Sequence, residues 1–588
     1  MRNRIPESEP YKAFRSCFET SRQFWLGGIH GSSISFFIKS LLQDQPDNPL
    51  LIVLPSQQEA RKLVFDLEAS AVQGAHVFPS WQNFIFDGVS PPKKVAVERL
   101  ICLQKLFQPT GESPVVVAVP IRALLQGLTP KSVLGPTFRT FLVGDEVDPQ
   151  QMIGNLLDYG YQPADMVETK GTFSYRGNIL DLYPMTAEYP LRFDFFGDEI
   201  EAIRTFDIGT QRSIQTLEQA MLSPASETIF SPEVIDHWHT FATVAKQTYT
   251  SPRYQEAISE ITEKVEGWQN YDQSTDILDG IEGLHPKLYP DLDRLYDYFP
   301  PQSSILLVEP NWTAHEAKKT LTQLETVFQK KQDLDQFMVN PSEVFADYQQ
   351  VLENLENFNL IQTALAPPPA ELSDQTQFFD FNFSAPDLQR GNYQENIEQL
   401  KKWTEQGFQI DIYCENETSV KRMTRILEDR ELLWSSLELE VGGLSQGFVS
   451  RDQQWAVVSD HEIFSQNHNP LLGRQQKPAR QQGVPILSMI DLQVGDYVVH
   501  VSHGIGRYEG VQRLEVDGKL QDFLIIKYQD ENTLYVPTYQ IDLVQKYIGG
   551  RDEDYKPRVD RLGGTTWRRT KTKARASIEK MAAELLQL

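Results

Sequence analysis

Three short apolar runs, bounded by proline at one or both ends, constrain the fold most. They are "PLLIVLP" (49–55), "PVVVAVP" (114–120) and "SSILLVEP" (303–310). Runs of this length without polar alternation are typical of strands buried on both faces of a parallel sheet. A helical pattern, "SQQEARKLVFDLEA", follows the first run. The sequence therefore predicts a parallel α/β fold, with the third run returning to the sheet formed by the first two.

Length and composition narrow the class of protein. The 588 residues suggest about four domains. A net charge of −26 argues against a nucleic-acid surface along the whole chain, because phosphate neutralisation needs Lys and Arg. The three cysteines are widely spaced, which is typical of reduced thiols. The sequence has no run of eighteen apolar residues and no apolar leader, so we predict a cytoplasmic protein. No His or Cys cluster has metal-ligand spacing, so no metal site is expected.

Changes of pattern along the chain predict a multidomain α/β protein. Pro-rich and basic stretches at 364–377 and 469–485 are typical of linkers. The final helical pattern has no stop signal before Leu588, so we expect a fragment of a longer protein. The predicted segments are a parallel α/β domain in two parts (20–138 and 225–350), an inserted α+β domain (139–224), a second α/β domain (378–470), a small Tudor-like β-barrel (487–555) and a truncated helix (560–588).

The stretch "GGIHGSSIS" (27–35) has the outline of a phosphate-binding loop. A P-loop reads G-x-x-x-x-G-K-[ST] between a strand and a helix. Here Gly28, Gly31 and Ser35 fall near the required places, but Ser33 and Ile34 replace the last glycine and the lysine. Isoleucine offers no charge to a phosphate, and its spacing with Phe37 and Leu41 fits a helix core. We therefore predict a degenerate P-loop that binds no nucleotide.

The insert offers a first candidate interaction surface in "LRFDFFGDEI" (191–200), whose Gly197-Asp198 pair predicts a hairpin. Alternation places Leu191, Phe193 and Phe195 on one face, the expected core, and Arg192, Asp194 and Phe196 on the other, where Arg192 is expected to be exposed. Arginine and aromatic residues are enriched at interface hot spots. On the residues alone, an exposed Phe196 and a Phe196 packed locally at the hairpin tip stay equally open.

The predicted barrel offers a second candidate surface. Its strand from Gly510 to Val516 leads into a hairpin at Asp517-Gly518, and Gln512, Leu514 and Val516 share one face. Pattern alone favours a core position for Leu514 over an exposed one. Beyond the barrel, five basic residues lie between Arg568 and Arg575, and they fit either a solvated helix face or a contact with DNA.

Three blocks occur together in an order that resembles the bacterial transcription-repair coupling factor family (Mfd). They are "SYRGNILDLYP…LRFDFFGDEIEAIRTFD", "VGDYVVHVSHGIGRYEGV…LYVPTYQIDLVQKYIGG" and "LGGTTW". The first 350 residues also resemble the excision repair protein UvrB, whose working P-loop aligns with the degenerate one here. The barrel resembles the RNA polymerase interaction domain that the family shares with CarD-type regulators.

The resemblance implies a recruitment platform for transcription-coupled nucleotide excision repair. It implies that Arg176, Arg192 and Phe196 bind UvrA, and that Gly177 turns the Arg176 side chain outward. It also implies that Gln512, Arg513 and Leu514 lie on a strand that adds to a sheet of the RNA polymerase β subunit, which favours contact over core for Leu514. We expect Arg192→Ala and Phe196→Ala each to weaken UvrA binding without unfolding the domain.

The resemblance also implies that an ATP-driven DNA translocase follows this segment in the family. No working P-loop occurs here, so we expect no enzymatic activity and no cofactor in this chain. ATP and Mg²⁺ belong to the missing motor, as does most binding of double-stranded DNA. We expect a monomer that does not contact membranes. A UvrB-like nucleotide-dependent helicase and a stand-alone CarD-like transcription regulator are the alternatives.

Overall fold

A computed structural model describes most of the chain. The described residues are 3–81, 90–109, 114–249, 251–269, 280–333, 337–365, 376–389, 393–430, 436–464, 495–500, 504–516, 519–529, 532–537, 544–546 and 559. They fall into two compact units, residues 1–471 and residues 472–588.

The first part of unit 1 alternates strands and helices, as the apolar runs predict. The strands are β1 (Gln23–Gly27), β2 (Leu50–Leu54), β3 (Ala75–Val77), β4 (Val116–Pro120) and β5 (Arg139–Leu142); the helices are α1 (Glu9–Cys17), α2 (Ser33–Asp44), α3 (Gln57–Ala69), α4 (Lys93–Phe107), α5 (Ile121–Leu124) and α6 (Lys131–Leu134).

The insert is a helix followed by a meander of strands. Its elements are α7 (Pro149–Asp158), β6 (Gln162–Pro163), β7 (Thr172–Arg176), β8 (Ile179–Leu182), β9 (Leu191–Phe196), β10 (Glu199–Phe206), β11 (Ser213–Leu217) and β12 (Gln219–Leu222).

Helices return after the insert, and the chain then passes into the second α/β region. The helices are α8 (Pro232–Thr248), α9 (Pro252–Gln269), α10 (His285–Leu288), α11 (Pro310–Asp333), α12 (Pro341–Val344), α13 (Tyr348–Leu355), α14 (Tyr393–Glu405), α15 (Glu417–Asp429) and α16 (Asp460–Phe464); the strands are β13 (Ser304–Val308), β14 (Asn359–Ala364), β15 (Gln377–Asp380), β16 (Phe383–Ser384), β17 (Gln409–Cys414), β18 (Leu437–Val441), β19 (Phe448–Ser450) and β20 (Trp455–Ser459).

A seven-stranded parallel sheet organises unit 1, in the order β15-β1-β14-β13-β2-β4-β3. The run at 303–310 forms β13 between β14 and β2, so its predicted return to the first sheet is confirmed. Successive residues of β2 alternate between two hydrophobic clusters: Leu51 and Val53 pack on one side, and Leu50 and Ile52 on the other. The sheet is therefore buried on both faces, as continuous apolar runs require.

The second α/β region shares a core with the first. Its sheet has the order β16-β19-β20-β17-β18. Phe36 of α2 packs edge-on against Phe448 and Trp455 of this sheet, with ring centroids 5.4 and 5.5 Å apart. Residues 377–380, at the start of the predicted 378–470 segment, pair with β1 of the first sheet instead. The two α/β regions therefore pack as one body within unit 1.

The strands of unit 2 are β21 (Tyr497–His500), β22 (Gly504–Val516), β23 (Lys519–Lys527), β24 (Thr533–Pro537) and β25 (Val544–Lys546). They form a five-stranded antiparallel sheet in the order β24-β23-β22-β21-β25. Val498, Leu524 and Ile526 are fully buried in its small core. Closure into a Tudor-like barrel stays a prediction, and the predicted helix at 560–588 lies outside the described residues. The mixed α/β, multidomain class is confirmed.

Candidate protein-docking surfaces

The loop after β1 makes the turn that its glycines suggest. Gly28 and Gly31 have φ of +66° and +55°, a backbone region that favours glycine. Helix α2 then begins at Ser33, whose hydroxyl accepts a hydrogen bond from the His30 N–H at 3.0 Å. The Ser35 hydroxyl donates to the Ser32 carbonyl at 2.7 Å, and Ile34 packs against the core below. The hydroxyls of Ser33 and Ser35 are therefore bound within the loop itself.

The segment 445–447 of the second α/β region lies directly against this loop. The Ser32 N–H donates to the Gln446 carbonyl at 3.0 Å. A Cβ added at Gly31 would stand 2.7 Å from the Gly447 carbonyl oxygen. A loop N–H that could face a phosphate in a working P-loop here faces a carbonyl of the same chain.

A buried carboxylate holds the two segments together. Asp66 of α3 accepts hydrogen bonds from the Ser32 hydroxyl at 2.8 Å, the Ser445 N–H at 2.7 Å and the Ser445 hydroxyl at 2.6 Å. Burial raises the pKa of Asp66 to about 6, because desolvation outweighs the hydrogen bonds that favour the charged form. We call Ser32, Asp66 and Ser445 the carboxylate clasp.

The predicted hairpin of the insert is present, with Phe196 paired to Glu199 across Gly197-Asp198. Phe193 and Phe195 are buried as alternation predicts. Phe196 is 75% exposed, so the alternative in which it packs locally at the hairpin tip is wrong. Its ring is available to a partner at one end of the sheet.

Arg176 reaches the surface at the same end of the sheet. It is exposed and precedes Gly177, whose φ of +63° supports the tight turn into β8. In register, Arg176 pairs with Ile179 and Ile179 pairs with Asp194, two residues before Phe196. The turns that follow β7 and β9 therefore bring Arg176 and Phe196 to neighbouring positions.

Arg192 does not stand free beside Phe196, and the expectation of an exposed arginine there is corrected. Its guanidinium donates to both oxygens of Asp181 on β8, at 2.6 and 2.8 Å, and lies 4.7 Å from the centre of the Phe206 ring. Its side chain is 19% exposed and that of Asp181 is 5% exposed. The cause is strand register, which places Arg192 opposite Asp181. The pKa of Arg192 is raised, chiefly by its hydrogen bonds to Asp181.

Sequence reasoning missed Ile179, which is 40% exposed on the face that carries Arg176 and Asp194. Its place next to another apolar residue, Leu180, gave no signal, because the face of a short strand depends on its pairing. We call Arg176, Ile179 and Phe196 the insert patch. Seven of the fourteen exposed large apolar side chains in the described residues lie within the predicted bounds of the insert, 139–224: Leu142, Val143, Met166, Ile179, Tyr189, Phe196 and Ile214.

In unit 2, strand β22 is paired unequally along its length. It pairs with β23 from Arg507 to Val516, but with β21 only from Gly504 to Arg507. Among the described strands, none pairs with the other side of β22 beyond that point. Gln512 is exposed, whereas the side chains of Arg513 and Leu514 lie outside the described residues. The segment 510–516 therefore carries one open backbone edge in the described sheet.

Other classes of site lack support in the part of the chain that the structure describes. No cluster of three or more His, Cys, Asp or Glu side chains could hold a metal ion there. No described helix combines the length and apolar character needed to cross a membrane. The basic residues between 568 and 575 lie outside the described residues.

Comparison with known proteins identifies two domains in this chain. Residues 140–227 match the UvrB interaction domain, and residues 492–548 match the CarD-like/TRCF RID domain. The first match contains the insert patch, and the second contains the open edge of β22.

Curated relatives match nearly the whole chain. It is 27% identical to the transcription-repair-coupling factor of Bacillus subtilis (strain 168) over 606 residues, covering 99% of this chain and 50% of that protein. It is 28% identical to the transcription-repair-coupling factor of Staphylococcus aureus (strain MRSA252) over 561 residues, covering 92% of this chain and 47% of that protein. The chain thus spans about half the length of these relatives, and the family resemblance predicted from the sequence is confirmed.

Proposed function

From this chain's similarity to transcription-repair-coupling factors, we propose that it is a recruitment platform for nucleotide excision repair. Unit 1 binds UvrA through the insert patch, and unit 2 binds the β subunit of RNA polymerase stalled at a DNA lesion. The observation that carries the proposal is the insert patch, where a phenylalanine 75% exposed lies within a matched UvrB interaction domain.

The chemistry of the insert patch suits a protein partner. Phe196 and Ile179 present apolar area beside the charge of Arg176. A soluble surface rarely concentrates apolar side chains without a binding role. Aromatic and arginine anchors near the centre of an interface typically contribute about 2 kcal/mol or more each. Arg192 then acts indirectly, because it holds β8 and β9 in register on the face that carries the patch.

The open edge of β22 suits addition of a strand from the polymerase. Backbone hydrogen bonds of an edge strand give affinity, and alternate side chains give specificity. Position 511 pairs with the buried Leu524, so alternation predicts that positions 512 and 514 face away from the core. This register supports a contact role for Leu514, with Gln512 beside it and Arg513 in the same edge segment.

The loop at 28–35 supports a platform without ATPase activity. Ile34 supplies no charge to a phosphate, and the 445–447 segment lies against the loop. We propose that ATP, Mg²⁺ and most double-stranded DNA bind to a motor region that this sequence does not contain. We also propose a monomeric, cytoplasmic protein.

A pull-down with purified UvrA tests the proposal. Phe196→Ala and Ile179→Ala should each reduce retention of UvrA several-fold, because each removes apolar contact area from the patch. Tyr189→Ala is the matched control, since Tyr189 is 45% exposed in the loop between β8 and β9 at the opposite end of the sheet. Equal retention by all variants and wild type would refute the assignment of the patch.

A further inference from the structure

A cleft of about 250 Å³ lies at the carboxyl edge of the seven-stranded sheet, beside the degenerate loop. Leu54, Val308 and Thr363 line it from the ends of β2, β13 and β14, and Trp312 lines it from the first turn of α11. Ligands of open parallel α/β sheets bind outside the carboxyl ends of the strands. The volume falls just below the roughly 300–1,000 Å³ typical of pockets for drug-sized ligands, so a smaller molecule fits.

Two side chains give the cleft a specific chemistry. Trp312 is 45% exposed, so an indole face is open to stacking. Thr363 is 2% exposed, and its hydroxyl has no hydrogen-bond partner in the structure. A buried hydroxyl without a partner is costly, and a ligand that pairs with it gains affinity. An aromatic face and a polar group together suit a planar molecule that carries hydrogen-bonding atoms.

The backbone beside the cleft is held in an uncommon conformation. Glu309, which also lines the cleft, has φ of +49°, and its carboxylate accepts a hydrogen bond from the Leu365 N–H at 2.9 Å. Non-glycine residues in this region are strained, and such strain is found disproportionately at ligand sites. The same bond ties the start of α11 to the end of β14, and so keeps Trp312 and Thr363 in place.

The charges around the cleft disfavour phosphate. Glu59, Asp66 and Glu309 bring three carboxyl groups to the lining, against a single lysine, Lys62. Lys62 is already bound to Glu59, with its Nζ 2.6 Å from a carboxylate oxygen. On the loop side, Ser445 and Gln446 line the cleft where the carboxylate clasp fixes them. A triphosphate would meet uncompensated negative charge and a segment of the chain itself.

We propose that this cleft binds a neutral, planar heteroaromatic molecule of nucleoside size that carries no phosphate. The ring stacks on Trp312, and a polar ring atom pairs with the Thr363 hydroxyl. The proposal does not depend on the docking of UvrA or RNA polymerase.

Isothermal titration calorimetry of the full 588-residue chain with adenosine tests the proposal. Adenosine should bind, and ATP should bind at least tenfold more weakly because of the carboxylates. Thr363→Val keeps the shape of the side chain and should weaken adenosine about tenfold, the effect of losing one hydrogen bond. Trp312→Ala should abolish measurable binding, whereas Tyr249→Ala, an aromatic 44% exposed outside the cleft, should bind as wild type.

Three results would overturn the proposal. They are the absence of heat with millimolar adenosine, ATP binding as strong as that of adenosine, and adenosine binding that Trp312→Ala leaves unchanged. Trp312 is half-exposed on a helix surface, so Trp312→Ala is informative even if Thr363→Val folds poorly. Retention of UvrA by the same preparations separates failure of this proposal from failure of the docking function.

Discussion

Arg192 on β9 and Asp181 on β8 form a two-bond ion pair, with nitrogen–oxygen distances of 2.6 and 2.8 Å, under the surface of the insert. The pair joins neighbouring strands on the same face of the sheet that exposes Ile179 and Phe196. The arginine therefore fixes the sheet that presents the insert patch, while its own guanidinium is occupied.

Arg192→Ala should destabilise the insert. The variant leaves the Asp181 carboxylate buried without its partner, which costs about 1–3 kcal/mol or more for a charged group. Chemical denaturation should show this loss, whereas Phe196→Ala should leave the free energy of unfolding nearly unchanged because its ring is exposed. An Arg192→Ala protein as stable as wild type would show that the ion pair contributes nothing to the sheet.

Arg99→Met should cost about 3–5 kcal/mol of stability, the usual effect of breaking a buried ion pair. Arg99 of α4 is fully buried and donates to both oxygens of Glu227 at 2.6 and 2.8 Å, and so ties the segment that directly follows the insert to α4. Arg61→Met is the matched control, because Arg61 and Glu98 form a partly exposed pair worth about 0–1 kcal/mol. Equal losses in the two variants, measured by urea denaturation, would contradict this ranking.

Stability should depend on pH through the carboxylate clasp. The pKa of Asp66 is about 6 in the folded protein and 3.8 in the reference state. A raised pKa means that the folded state holds the proton more tightly. The contribution of Asp66 to the free energy of unfolding is therefore fully present below pH 4 and is lost as pH rises to about 6. Within that window this contribution to the free energy of unfolding falls by roughly 1.4 kcal/mol per pH unit.

Asp66→Asn should remove this part of the pH dependence. The free energy of unfolding of the variant, minus that of wild type, should increase between pH 4 and pH 6 and then level off. Asp158 and Asp411, whose pKa values burial also raises to about 6, remain in both proteins and cancel in the difference. A difference that stays constant across this range would show that Asp66 does not titrate there.

Leu514→Arg should abolish binding to the polymerase β subunit while the melting temperature stays close to that of wild type. A charge on the open edge of β22 blocks strand addition but, if position 514 faces away from the core, leaves the core intact. Tyr535→Arg on β24, 47% exposed at the other edge of the sheet, is the matched control and should retain the β subunit. Loss of fold in Leu514→Arg would instead support a core position for Leu514.

Much of the local structure was predictable, because apolar runs and turn residues act over short distances. The buried strands β2, β4 and β13 and the hairpin at Gly197-Asp198 follow directly from such patterns. Contacts set by strand register were not predictable in this way. The pairing of Arg192 with Asp181 depends on how β8 aligns with β9, and the sequence alone gave Arg192 an exposed face.

Contacts between segments that are distant in the sequence could not be predicted either. Ser445 meets Asp66 across 379 positions, and no local pattern marks either residue as a partner of the other. Strand β15 joins the first sheet although the residues that precede it in the sequence have the composition of a linker. Such contacts are decided by tertiary packing, which neither residue spacing nor secondary-structure propensity reveals.

Co-purification with UvrA and the polymerase β subunit present together tests the central claim most directly. The wild-type chain should retain both proteins, Phe196→Ala should lose UvrA alone, and Leu514→Arg should lose the β subunit alone. Loss of both partners in either folded variant, or retention of neither by wild type, would contradict a platform with two separate docking surfaces.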